Sequence, residues 1–202
     1  MAIDHMPVQE SVSPMRAFDP DKVARYEMQS WVAYYQRDWP ALLRHLLALI
    51  RETFGLSLFQ AIKAAYLATR AQVAFAPFPD NDVLLAEAYQ RRFYELIKSA
   101  QGDREQFDPA EVARLDVRWW VIHRRHFGEP ENEPLVDAIA ALYAASYGVA
   151  EADVCEAAYY RAQAMIHSDR WVKESRDPND RRLSQVETEL AKGYAALRRA
   201  VA

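Results

Sequence analysis

The sequence predicts an all-α fold, a compact single-domain bundle of seven or eight helices, from three observations. Glycine is scarce, at 5 of 202 residues, while alanine and leucine abound; glycine costs roughly 1 kcal/mol per helical position relative to alanine. Capping residues recur ahead of apolar runs, twice with proline directly behind (Asp19–Pro20 and Asp108–Pro109), which satisfies first-turn amides and presets φ. No stretch sustains an alternation of β-branched and polar residues, so strands are not expected.

Residues 1–18 are polar, proline-bearing and aperiodic, and are expected to form a flexible tail ahead of a helical domain at 19–202. The first helix, 20–37, starts at the Asp19–Pro20 cap; the second, 39–54, follows Asp38. Gly55 and Ser57 separate it from a third at 57–76, which stops before Pro77 and Pro79. Asp80 and Asn81 are placed to cap a fourth at 81–101, with Gly102 just past its end. Asp108–Pro109 opens a fifth at 109–127, ahead of Gly128. A sixth at 132–147 ends at Gly148, and a seventh runs from 151 to 174. The polar segment KESRDPNDRR then leads into an eighth at 182–200.

A net charge of -4 gives no electrostatic case for a nucleic-acid partner. The single cysteine, Cys155, excludes an intrachain disulfide and fits a reducing compartment. The N-terminus lacks the basic start and apolar run of a signal peptide. The most apolar stretch, 135–150, is shorter than the ~20 residues that span a bilayer and contains Asp137. These features predict a cytoplasmic protein with no membrane partner. Cys155 falls in an apolar arc and is expected to be an inert core thiol. With no nucleophile elbow, glycine-rich phosphate loop or Cys-x-x-Cys, nucleophilic catalysis has no motif.

Unrolling each helix at 100° per residue locates polar side chains on apolar arcs. In 109–127 the arc runs through Val112, Leu115, Trp119, Trp120 and Ile122, and Asp116, His123 and His126 project inside it. Glu27 lies on the apolar face of 20–37, and Asp169 intrudes on that of 151–174. In 57–76 the stripe is Phe59, Ile62, Tyr66 and Val73, with Arg70 among them. A second face of 151–174 groups Glu156, Tyr160, Gln163 and His167, a mixture suited to a polar pocket. Buried ionised groups cost several kcal/mol unless partnered, so the inward set is expected to meet in one internal polar network.

Three chemistries suit such a network. A metal site, holding iron or manganese, would draw on Glu27, Asp116, His123, Glu156, His167 and Asp169, although the Glu-x-x-His pair of di-metal bundles is absent. An acid–base or ligand site would use an Asp116–His123 pair, Arg70 as anchor for a carboxylate or phosphate, and Tyr160, Gln163 and Trp120 around a small anionic or aromatic ligand. A non-catalytic interaction protein would leave the network self-satisfied. The stripe of 182–200 and the alanines of 132–147 would then pack either within the bundle or along a homodimer seam.

Overall fold

A computed structural model describes residues 12–77, 79–127 and 133–202. Among them are eight α-helices and no strand: α1 (Pro20–Gln36), α2 (Trp39–Phe54), α3 (Leu58–Phe75), α4 (Val83–Gln101), α5 (Pro109–Arg125), α6 (Glu133–Tyr147), α7 (Glu151–Glu174) and α8 (Arg182–Val201). The caps explain the starts. Asp19 accepts from the amides of Asp21 and Lys22, Asp108 from that of Ala110, and Ser57 and Gln60 close a reciprocal capping box. At α4 the cap is Asp82 rather than Asp80 or Asn81, because its carboxylate reaches the Leu85 amide at 2.9 Å, three residues on. Gly128, expected to close α5, lies outside the described residues.

The helices form a ring. Each packs on its neighbours in the chain, and α8 returns against α1, so the first and last close the circle. Gly193 brings α8 close to α7: a Cβ there would stand 3.2 Å from the Ala157 carbonyl and 3.4 Å from the Arg161 amide. Large buried residues (Ile97, Leu135, Ile139, Leu190 and Leu197) point into the shared core.

Two expectations are corrected here. The part of the expected tail that is described, 12–18, is docked rather than free, with Met15 and Phe18 in the core. Its anchor is Arg16, which holds the buried Glu105 with two hydrogen bonds, at 2.9 and 3.0 Å, and donates to the carbonyls of Tyr147 and Val201. Residues 1–11 lie outside the described set. Helix α3 is also turned over. Ala61, Ala64, Ala65 and Ala71 face inward, while Phe59, Ile62, Tyr66 and Val73 are exposed. An all-round apolar helix carries little periodic signal, and the small residues on its inner face permit close approach to α4.

Gly55 ends α2 at φ +62°, and a Cβ there would run into the Pro14 ring. Gly55→Ala combines left-handed strain with that clash and is expected to lower the urea-unfolding free energy by about 1–3 kcal/mol.

Candidate functional site

The ring encloses a half-open cavity of about 380 Å³, with Met15, Tyr34, Ala76, Arg124 and Tyr147 among the residues that line it. Its walls are mainly apolar and aromatic, with Leu46, Ile50, Phe93, Met165, Trp31 and Trp119 among them. Three polar groupings interrupt those walls, each made by different helices.

The first joins α1, α6, α7 and α8. Glu27 accepts from Arg161 at 2.6 Å and makes a short hydrogen bond from the Tyr194 hydroxyl. Arg161 also donates to the Tyr143 hydroxyl at 3.4 Å, and its guanidinium lies over the Trp119 ring at 5.2 Å. Burial pulls the Arg161 pKa down, but Glu27, Tyr143 and Tyr194 outweigh it and hold the guanidinium above its usual range. An arginine thus stays charged in the interior because a buried carboxylate meets it directly.

The second centres on Asp116. Its carboxylate accepts from Gln90 Nε2 at 2.6 Å, the Tyr94 hydroxyl at 2.8 Å and Trp119 Nε1 at 2.8 Å. Burial raises its pKa above the ordinary 3.8 despite those three donors. Burial likewise drives the Tyr94 hydroxyl well above 10, so it remains a donor.

The third is His123 on α5 with Asp169 on α7. Nε2 lies 3.1 Å from both carboxylate oxygens, and the imidazole packs between the Trp119 and Phe127 rings. An ionised carboxylate only accepts, so this contact assigns the proton to Nε2 and leaves Nδ1 as the acceptor of the neutral ring.

The structure therefore brings Glu27, Asp116, His123, Asp169 and Trp120 to one cavity, Trp120 meeting the Phe75 ring edge-on at 5.5 Å. It does not join them in one network: the expected Asp116–His123 pair is replaced by Asp116 with Gln90, Tyr94 and Trp119, and by His123 with Asp169. Positions seven apart on α5 point at different neighbours, and each takes the partner that its neighbour supplies.

The remaining candidates lie elsewhere. Arg70 is exposed, stacked over Tyr89 at 5.0 Å and bonded to the Tyr66 hydroxyl, because α3 is turned over. Glu156, Tyr160, Gln163 and His167 do not line the cavity: Glu156 is exposed and the other three are half-buried. Glu156 pairs with Arg199 at 3.1 Å, and Lys192 lies over the Tyr160 ring. His167 is half-buried, its pKa lowered by burial and by Arg170. Cys155 is exposed, not a core thiol, and His126 caps the end of α5 half-buried. With Glu156 and His167 outside, no three His, Cys, Asp or Glu side chains among the described residues gather closely enough to share a metal ion.

Arg161 was missed from sequence, as were Gln90, Tyr94 and Tyr143. Arg161 lies beside Ala162 on α7, and only the acid at position 27, far away in the chain, explains why it points inward. Two residues that line this cavity each carry a buried polar atom with no partner among the described residues: Arg161 Nε, a donor, and Gln90 Oε1, an acceptor.

Glu27→Ala leaves Arg161 buried without its counter-charge and is expected to cost about 3–5 kcal/mol in chemical unfolding. The raised pKa of Asp116 means that the folded state holds its proton longer than the unfolded chain does. Its contribution to stability is complete below pH 3.8 and declines as pH rises through the higher folded value. Asp116→Asn is expected to flatten that decline when unfolding free energies of the two proteins are compared across pH.

No protein-family model, no curated protein and no solved structure matches this chain.

Proposed function

We propose that this chain binds one small, neutral, largely aromatic or apolar molecule in the ring cavity, through a hydroxyl or amide on that molecule. The observation that carries this reading is the pair of orphaned polar atoms, one on each of two residues that line the same apolar cavity. Arg161 Nε needs an acceptor and Gln90 Oε1 needs a donor, and a hydroxyl or amide supplies both. The cavity volume, about 380 Å³, falls within the range of small-molecule pockets. The charge balance favours a neutral ligand over an anion: Glu27 already neutralises Arg161, and Arg70, the expected anion anchor, is on the outer surface.

The test uses three fluorescent probes of one shape: 2-naphthol, naphthalene and 2-naphthoate. Trp31, Trp119 and Trp120 line the cavity and serve as reporters. The expected result is tryptophan quenching that saturates with 2-naphthol and is about tenfold or more weaker with the other two. Ala68→Trp, which fills the cavity from α3, is expected to abolish it while the far-ultraviolet circular dichroism stays unchanged. Equal affinity for naphthalene and 2-naphthol, or binding that survives Ala68→Trp, overturns the reading.

The His123–Asp169 pair favours a second reading, in which a bound hydroxyl gives its proton to His123 Nδ1 and Asp169 stabilises the imidazolium. Under it, 4-nitrophenol bound to the wild type absorbs as the phenolate, and bound to His123→Gln it does not. Identical spectra in the two proteins remove this second reading.

A further inference from the structure

Ten of the twelve large apolar side chains exposed among the described residues fall between Tyr34 and Leu85, so the apolar surface is concentrated on one part of the ring. On α3 they share one outer stripe with two cations, in the order Phe59, Ile62, Lys63, Tyr66, Arg70 and Val73. Phe59 is 85% exposed and Val73 60%. Helix α3 contains no aspartate or glutamate, and α2 has Arg44 and Arg51 against the single acid Glu52. Glu52 is already engaged, accepting from the Asp19 amide at 3.0 Å and lying 3.9 Å from Lys22. In a chain of net charge -4, α2 and α3 together are therefore a cationic and apolar region.

We infer that the outer face of α3 docks on an anionic lipid surface, with its apolar side chains in the interface and Lys63 and Arg70 among the headgroups. Interleaved aromatic, branched and basic residues on one helix stripe are what an interfacial helix presents. Arg70 and Arg92 already lie over the Tyr89 ring, at 5.0 and 6.0 Å, which keeps the cations beside the apolar surface. A second copy of this chain fits less well. A two-fold pairing of α3 helices centred on Tyr66 sets Lys63 level with Thr69 of the copy and Ile62 level with its Arg70, which crowds four cations along a seam with no carboxylate from either helix. Side chains as proud as Phe59 need a pocket in a folded partner, whereas acyl chains conform to them. The absence of a membrane partner expected from sequence rested on the lack of a spanning segment. Among the described residues no helix is long and apolar enough to cross a membrane, but surface docking requires none.

The experiment is vesicle sedimentation of the full chain. Vesicles of phosphatidylcholine with a quarter phosphatidylglycerol are compared with pure phosphatidylcholine, at low and high salt. The protein is expected to pellet with the anionic vesicles at least fivefold more than with the neutral ones, and high salt is expected to reduce this. Phe59→Glu, with Lys63→Gln/Arg70→Gln as a second variant, is expected to lose pelleting at least fivefold with unchanged circular dichroism. Failure to pellet, equal binding to neutral vesicles, or undiminished binding by both variants overturns the inference. So does a stable dimer in size-exclusion light scattering that Phe59→Glu dissociates, since the face would then be a contact between copies. None of these outcomes depends on what the cavity holds.

Discussion

In a closed ring of eight helices, no helix of the ring reaches the centre. With axes about 9 Å apart, a regular octagon puts its midpoint about 12 Å from each axis. Helices with their side chains reach only about 5–6 Å from their own axes. Large side chains such as Met165, Phe93 and Trp119 narrow that gap, and the cavity is what they leave. Its existence thus follows from the connectivity, with each helix packed on its chain neighbours and α8 on α1. Loss of the α1–α8 contact would open the wall at the place where Glu27, Arg161 and Tyr194 meet.

Polar groups in this interior are arranged so that each charge has an immediate opposite or a set of donors. Arg161 takes Glu27, Asp116 takes three donors, and His123 takes Asp169. Such pairs rarely add net stability over apolar packing, because removing charges from water costs about as much as pairing returns. Their value lies in fixing which helix faces which, since a rotation of α7 by one residue would withdraw both Arg161 and Asp169 from their partners. The unmatched Arg161 Nε and Gln90 Oε1 stand out because their neighbours are so fully matched.

Much of the architecture was legible from local chemistry. Caps at Asp19, Ser57 and Asp108 placed three helix starts, and apolar periodicity in α5 put Asp116 and His123 on the inner face. The partners were not legible, because they depend on which helices adjoin. His123 and Asp169 are 46 positions apart, and Glu27 and Arg161 are 134 apart. Periodicity failed where it carries least information: in α3, apolar on all sides, and in α7, whose mixed polar stripe borders α8 instead of the cavity. Arg161 escaped notice because an arginine next to core alanines reads as an edge residue until its distant acid is known.

Ring closure also sets an order for folding. Helix α1 leaves the ribosome seven helices ahead of its wall partner α8. Until α8 arrives, the earlier helices form only an open arc, with the aromatic lining of the future lumen in contact with water or with chaperones. Contacts spanning nearly the whole chain carry a large loop-closure entropy and slow the final step. A nascent chain of this topology is therefore most prone to aggregate in the interval before α8 emerges and the circle closes.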